Sequence, residues 1–453
     1  MLPTARPCGP RFPPPRAARL PTMLLGTRLF AIGQTVAGVR YLSPVADPAS
    51  LNPFRTLLRH RNFRLFWLGQ TLSLIGTWMQ TMAEGWLALE LSNSAFIVGL
   101  VAAAQSLPVL VLSLPAGVIV DRSDKLRIVK IAQTLLGVQA ATLWYVTWSK
   151  HLTIAWLLAL ATANGVITAF EIPARQSLVI ELVGREDLPG AIALNSSGFN
   201  LARIIGPSIG AIIIAQLGIA WCFGVNAMSY VTVLLGLFLI RLPAWMPPEH
   251  AVSPLEGIRE GIRFMRDTPS IAALMKLVTM YSILGVPYLT LMPVVAREQL
   301  HLDAAGYGAL LACVGIGGLT GALSLAAIGD RMGRSRLLSA AAYAFSGLLV
   351  AFSLVRDPSA AYPILLAVGF MMIVNNATAN STLQHLVPNE LRGRLMAAYS
   401  FVVVGLSSVV GSLVAGSVAH VIGVSWAIGG GATIMFAYAV WAFERRPELR
   451  AID

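Results

Sequence analysis

The sequence predicts an all-α membrane protein: twelve transmembrane helices arranged as two pseudo-symmetric six-helix bundles. Three observations predict it. The chain has 453 residues, of which 56% are hydrophobic and 12% charged, about half the charged share of a soluble globular domain; its mean hydropathy is +0.71. Apolar runs recur at the length of about 20 residues that a helix needs to cross the hydrocarbon layer. The loop Gly117-Val118-Ile119-Val120-Asp121-Arg122-Ser123-Asp124-Lys125-Leu126-Arg127 recurs, weakened, from Ala326 to Arg336, with Asp121 matching Asp330, Arg122 matching Arg331 and Arg127 matching Arg336. Two homologous halves meeting in a membrane imply a transporter.

Twelve runs qualify as spans. In the first half they cover approximately Leu65 to Leu91, Ala95 to Val120, Ile128 to Trp148, Leu152 to Phe170, Leu188 to Leu217 and Trp221 to Ile240. In the second half they cover approximately Ile271 to Val295, Ala304 to Ile328, Leu337 to Val355, Ala361 to Ala379, Leu395 to Ala419 and Val424 to Phe443. Each is read as a helix because unpaired backbone groups in lipid cost several kcal/mol each. The expected organisation is a tail over 1–55, a six-helix bundle over 56–241, a cytoplasmic linker over 242–270, a second bundle over 271–444 and a cytoplasmic tail over 445–453.

Lys and Arg placement sets orientation. One set of alternate loops carries Arg55, Arg59, Arg61 and Arg64; Arg122, Lys125, Arg127 and Lys130; Arg175 and Arg185; Arg241, Arg259, Arg263 and Arg266; Arg331, Arg334 and Arg336; Arg392 and Arg394; and Arg445, Arg446 and Arg450. The other set has only Lys150, Arg297 and Arg356. Both termini are therefore expected in the cytoplasm, with the chain in the inner (plasma) membrane. The net charge of +12 has the same origin, so it does not imply nucleic-acid binding: these cations sit beside lipid headgroups and form no single basic face.

The first fifty residues stand apart, with Arg6, Arg11, Arg16, Arg19, Arg28 and Arg40 and no acid before Asp47. An organellar presequence and a misassigned start both fit, and the run Pro13-Pro14-Pro15 works against the amphipathic helix of a presequence. Disorder is expected for most of this stretch. Cys8, Cys222 and Cys313 are too scattered for a disulfide framework or metal site. Nothing resembles a Gly-rich phosphate loop ending in Lys-Ser or Lys-Thr, so no ATPase is expected; no cofactor or metal is expected either. In the linker, Leu255, Ile258, Ile262 and Met265 recur at helical spacing opposite Glu256, Arg259, Glu260, Arg263 and Arg266, which reads as an amphipathic helix on the inner membrane face.

The twelve spans, the central linker and the paired loops together resemble the major facilitator superfamily, over about Asn62 to Glu444. The first loop differs from the superfamily pattern in having Asp124 where glycine is usual; the second has Ala326 in place of the opening glycine. The resemblance implies that Gly117, Asp121, Arg122, Lys125 and Arg127, with Asp330, Arg331, Gly333, Arg334 and Arg336, form gating loops. Asp121 stands at a helix end, where it can accept hydrogen bonds from arginines or a neighbouring helix N-terminus. The resemblance implies that such bonds hold the outward-facing state and break on inward opening; anchoring of topology is the other reading for the basic residues.

In the fifth span Gly198, Ala202, Gly206 and Gly210 fall four apart, with Pro207 beside the third. Small residues at this spacing form a groove that admits a neighbouring backbone. The stretch Gly206-Pro207-Ser208-Ile209-Gly210 resembles the antiporter motif of superfamily exporters, though Ala211 replaces its second closing glycine. The strings Trp78-Met79-Gln80, Gly85-Trp86-Leu87, Pro173-Ala174-Arg175-Gln176 and Ala202-Arg203-Ile204-Ile205-Gly206-Pro207 are similar to the transmembrane secretion effectors, the group that contains the bacterial enterobactin exporter.

Ionisable residues within spans are costly and so carry functional weight. Glu84 lies one helical turn beyond Gln80 on the same face, near Trp78 and Trp86. It is a candidate proton carrier; a static ion pair with Arg203 is the competing reading. Arg203 is also a candidate seat for an anionic substrate. Glu171, beside Pro173 and Arg175, is expected at a gate or interface. Candidate cavity-lining residues are Gln80, Asn164, Asn195, Asn226, Tyr281, Tyr288, Asn375 and Asn376, some of which are expected to act instead as hydrogen-bond glue between helices. Aromatics and amides with few fixed charges suit a bulky neutral or weakly acidic ligand.

The sequence therefore predicts a secondary transporter that exports small amphipathic molecules, siderophore-like or drug-like, by proton antiport. Its expected partners are the small-molecule substrate, a proton or other coupling ion, and the lipid bilayer, with a monomeric state and no nucleic acid. A metabolite importer of the same fold and a non-transporting scaffold or sensor are the alternatives. No clustered nucleophile, metal set or paired acids supports an enzyme.

Overall fold

A computed structural model describes residues 53–242, 263–329 and 332–450. Among the described residues, ten helices are long and apolar enough to cross a membrane. The long helices of the first half are α2 (Arg61–Ser92), α3 (Ala95–Asp121), α4 (Lys125–Trp148), α5 (Ile154–Val183), α6 (Leu188–Leu217) and α7 (Ala220–Leu239), preceded by the short α1 (Pro53–Arg59). Those of the second are α8 (Pro269–Gln299), α9 (Ala304–Ile328), α10 (Arg334–Leu354), α11 (Pro358–Leu386), α12 (the consecutive segments Asn389–Ser400, Phe401–Gly411 and Ser412–Ile422) and α13 (Val424–Arg445). A last turn, α14, covers Pro447–Arg450.

Helices α2 and α4 are not among the ten, and their chemistry explains it. Both trade apolar length for buried amides. Gln133 on α4 donates to Gln70 on α2 at 3.3 Å, and Gln80 on α2 donates to Gln139 on α4 at 3.2 Å. All four amides are buried. In a low-dielectric interior such polar groups are tolerated only when paired, so the two helices are specified by each other rather than by uniform hydropathy.

Local chemistry sets the helix ends. Asp124 caps α4 by accepting from the Arg127 amide at 3.1 Å, which gives the unusual acid in the first loop a structural use. Thr153 caps α5, Asp303 caps α9 and Asp357 caps α11 in the same way. Helix α5 was expected to end near Phe170, ahead of Pro173, but runs on to Val183. A proline removes one hydrogen bond and kinks a helix; ending the helix in apolar surroundings would leave more backbone groups unpaired. The helix stops instead at Gly184, whose φ of 72° turns the chain. The expected break near Gly423 is a turn at φ 92°.

Two helices in the second half are irregular. Helix α8 is π-helical at Tyr281–Gly285 and at Val295–Gln299, and α12 is π-helical over Phe401–Gly411. The two irregular stretches pack on one another: a Cβ added at Gly411 would sit 2.6 Å from Pro287 Cγ and 3.1 Å from the Ile283 carbonyl oxygen. Such segments often mark functional regions of helical proteins.

The helix pairing repeats between halves. Helix α3 packs on α5 and α4 on both α5 and α7; in the second half α9 packs on α11 and α10 on both α11 and α13. Between the halves, α6 packs on α9 and α3 packs on α12. Helix α1 begins at Pro53, inside the stretch assigned to a disordered tail, and is held to the start of α6: Asp187 accepts from Arg59 at 3.0 Å and pairs with His60 at 2.7 Å. The hydrogen bond from His60 holds the Asp187 carboxyl below the usual carboxylate range, with the Arg59 and Arg55 guanidinium groups adding to it. The rest of the expected tail and most of the expected linker helix lie outside the described residues; residues 263–267 are helical, with Arg263 3.7 Å from Asp267.

Candidate functional site

Helix α6 is packed on two sides, and this places the site. Its small-residue stripe faces α2. A Cβ added at Gly206 would meet the Ile75 carbonyl oxygen at 2.7 Å and the Met79 amide at 3.1 Å, and Gly198 and Gly210 meet Thr71 and Met79. Ala202 is fully buried on the same line. The adjoining face meets the other half, where a Cβ on Gly308 would lie 2.8 Å from the Pro207 carbonyl oxygen and one on Gly315 would lie 3.1 Å from the Ile204 Cα. Glycines on both sides let three backbones come together without side chains between them.

Contacts between the halves gather toward one end of the molecule. Ser94 meets His420 at 3.4 Å, Arg297 donates to the Leu89 carbonyl at 3.4 Å, and Trp86 stacks on Tyr307 with ring centroids 5.9 Å apart. Gly99 of α3 crosses α12 so closely that an added Cβ would strike the Ser412 carbonyl oxygen. The arginine-rich end differs. Asp121 and Arg122 are exposed, and a Cβ at Gly117 would meet none of the described residues within 4 Å. Among the described residues, Asp121 makes no ion pair; Lys125 reaches its backbone carbonyl at 3.4 Å and lies 3.8 Å from Glu181 of α5. In the second loop Gly333 precedes α10, Arg334 meets His385 at 2.8 Å and Arg336 is exposed, while Asp330 and Arg331 lie outside the described residues.

Between these ends lies a cavity of about 280 Å³ bounded by α2, α3, α6, α8, α9 and α12. Trp78, Met82, Val98, Tyr307 and Leu311 supply apolar wall; Gln105, Ser106, Thr290, Ser407, Ser408 and Ser412 supply polar wall. Glu84 and Arg203 both line it. The static ion pair considered from sequence is absent: no ion pair joins them within 4.0 Å among the described residues. Glu84 is 2% exposed and accepts from Gln80 Nε2 at 2.8 Å. Gln80 in turn accepts from Asn226 at 2.7 Å, and Gln139 donates to the Leu160 carbonyl at 3.2 Å. The carboxyl is thus positioned by a chain of amides reaching from α2 through α4 to α5 and α7. Among the described residues, the buried Nε of Arg203 has no hydrogen-bond partner.

None of the eight amides and tyrosines expected to line a cavity is among the lining residues of this one. Gln80 and Asn226 stand behind Glu84, and Asn164 accepts from the lining residue Gln105 at 3.2 Å. Tyr281 and Tyr288 are buried against Phe345, at 4.9 and 6.2 Å between ring centroids. Tyr281 donates to the Met372 carbonyl at 3.4 Å. Asn375 is buried with its Oδ1 unpaired among the described residues, the carbonyl of Asn376 accepts from Tyr399 at 3.3 Å, and Asn195 is half-buried on α6. The physical reason is that amides in a dry bundle gain most by bonding helix to helix. Glu171 is buried away from this cavity, accepting from Arg175 at 2.8 Å and Gln133 at 3.2 Å. The hydroxyls of Thr290, Ser407, Ser408 and Ser412 were missed; the available signal was a cluster of hydroxyls inside otherwise apolar runs.

The family described as transmembrane secretion effector matches residues 50–453. Among characterised proteins, the chain is 26% identical to the staphyloferrin A transporter of Staphylococcus aureus over 267 residues, covering 58% of this chain and 66% of that relative, just under two thirds of its length. It is 28% identical to the multidrug efflux pump Tap of Mycolicibacterium fortuitum, covering 71% of this chain and 80% of the relative. It is 26% identical to the enterobactin exporter EntS of Salmonella choleraesuis, covering 75% and 81%. Among solved structures, a bacterial homologue of the human lysosomal transporter Spinster, inward-facing and unoccupied, superposes with a TM-score of 0.70 at 12% identity over 88% of this chain and 98% of that one. A D-xylose-proton symporter superposes at 0.65 with 14% identity over 85% and 98%. At these identities the structures speak for the fold alone.

Proposed function

We propose that this chain, which belongs to the transmembrane secretion effector family, exports small amphipathic molecules across the inner membrane in exchange for protons. The family and fold make it a multi-pass membrane transporter of small molecules. The finer reading is that all twelve long helices span the bilayer, α2 to α7 and α8 to α13 forming two six-helix bundles that rock about the cavity. The repeated helix pairing supports it. The arginine-rich end is taken as cytoplasmic, so both described ends of the chain lie inside. Contacts crowded at the opposite end, with Asp121 exposed, then correspond to the inward-facing state.

The observation that carries coupling is Glu84. It is a buried carboxyl on the wall of the cavity, held by Gln80 and free of any ion pair among the described residues. Such a group can gain and lose a proton as the cavity turns from one face to the other, which is how one site exchanges two solutes. The other titratable and charged residues lining the same cavity are Arg203 and Tyr307. In this scheme Gly117, Asp121, Arg122, Lys125 and Arg127 with Asp330, Arg331, Gly333, Arg334 and Arg336 close the cytoplasmic side in the outward-facing state. Glu171 with Arg175 stiffens the first bundle near that side.

Export is supported by the stripe of α6, which resembles the exporter motif, and by relatives named as an efflux pump and an exporter. Flux in inverted and right-side-out vesicles under an imposed pH gradient tests it. Uphill movement from the cytoplasmic face, lost in Asp121→Asn, is expected; uptake instead would make the protein an importer, and no flux in either direction would favour a scaffold.

A further inference from the structure

We propose that Arg203 is the seat for an anionic group of the transported molecule, which joins one such group to an aromatic or aliphatic body. The inference rests on the transport reading above and narrows its substrate class. Ala202 turns toward α2, so its neighbour Arg203 projects from another face of α6, toward the second half. There a Cβ added at Gly318 of α9 would lie 2.7 Å from its Nη2. The guanidinium therefore crosses the junction between the halves, at a place where glycine leaves it room.

A guanidinium carries five N–H donors and stays charged. Among the described residues none of these donors has a hydrogen-bond acceptor and no carboxylate lies within ion-pair distance, although Nε is buried. Glu84, the acid on the same cavity wall, is engaged by Gln80. Tyr288 and Tyr281 are its electrostatic neighbours, but their hydroxyls turn to Met372. Taking a charge out of water without acceptors is costly, and a solute that brings its own acceptors relieves that cost. A planar carboxylate matches the guanidinium fork with two parallel bonds.

The rest of the wall fixes the remainder of the molecule. Trp78, Met82, Tyr307 and Leu311 offer ring and aliphatic surface, and about 280 Å³ holds a compact body of fused-ring size. The membrane potential acts in the same sense: with the cytoplasm negative, an anion leaving and a proton entering both move down the field.

Calorimetric titration of the purified full chain in nanodiscs of zwitterionic lipid tests this with 2-naphthoate, its methyl ester and 2-naphthylmethylammonium. The acid is expected to bind about 10-fold to 100-fold more tightly than the ester. Arg203→Met should erase that preference, and Arg203→Lys should keep part of it. Equal affinity for acid and ester in the unaltered protein overturns the proposal, and that comparison decides even if no Arg203 variant folds. Displacement of the acid by doped anionic lipid would give the seat to a headgroup and also overturn it. Equilibrium binding needs neither direction nor coupling, so failure of proton-driven export would leave this result intact, and absence of an acid preference would leave export intact.

Discussion

Gly99 on α3 and Gly416 on α12 cross with no side chain between them: a Cβ added at Gly416 would sit 3.2 Å from the Gly99 Cα and 2.9 Å from the Ala95 carbonyl oxygen. The crossing belongs to the end of the molecule where the halves meet most closely. Adding bulk there opposes that closure by about 1–3 kcal/mol, so Gly416→Val is expected to shift the population toward the state open at this end. A Ser408→Cys reporter in a Cys313→Ser background, labelled with an impermeant maleimide, reads it. The reporter should label from the far side only with Gly416→Val, and unchanged far-side labelling in folded protein would count against the seal.

Glu84→Gln preserves the hydrogen bond with Gln80 while removing the exchangeable proton. Substrate binding is expected to persist, whereas uphill export driven by a pH gradient should fall at least about 10-fold, as when a proton-transfer group is lost. Proteoliposomes with imposed gradients of either sign supply the measurement. Full gradient-driven export in the variant would take Glu84 out of the coupling step.

Gly206 and Gly117 should respond to alanine with opposite signs. At Gly206 the new methyl meets the backbone of α2, and overpacking against backbone costs about 1–3 kcal/mol. At Gly117 none of the described residues lies within 4 Å of an added Cβ, and replacing a helical glycine gains about 0.5–1 kcal/mol. Thermal unfolding in detergent should therefore lower the midpoint for Gly206→Ala and raise it slightly for Gly117→Ala. Equal shifts would contradict the packing of α6 on α2.

Asp187 ties α1 to α6 through His60 and Arg59. Its carboxyl is held below the ordinary carboxylate range, so its stabilisation is fully present above that ordinary value and is lost as pH falls through the lowered one. Asp187→Asn should speed hydrogen exchange in Pro53–Arg59 at pH 7 by the loss of about 0.2–1 kcal/mol. After correction for intrinsic exchange, the native protein should approach the variant only in strong acid. A native protein that loosens already near pH 6, well above the carboxylate range, would show that the Asp187 carboxylate is not what holds α1.

Much of this architecture was legible in apolar run lengths. The ends of α6 and α9 fall where the sequence places them, because Gly218 follows α6 and Asp303 caps α9. Proline misled at α5, since the cost of stopping a helix in lipid exceeds the cost of one lost bond. In the cavity, Glu84 and Arg203 were legible because charge inside a span is rare. The lining hydroxyls of Ser407, Ser408 and Ser412 were not, because serine in a helix satisfies itself on its own backbone as often as it faces a solute. Nor does hydropathy tell an amide that lines a cavity from one that stands a layer behind it, as Gln80 and Asn226 do.

Helix α6 rests on glycine toward α2 and abuts glycines of α9 on its adjoining face. A contact of bare backbone has no rotamers with which to absorb displacement, so each of its two seams either holds registry or slips as a unit. Helix α2 belongs to the same half as α6, so α6 is expected to ride with it while the seam along Pro207, Gly308 and Gly315 acts as the bearing. Damage at Gly308, which is not part of the cavity wall, should appear as a transporter that still binds its cargo and has stopped turning over.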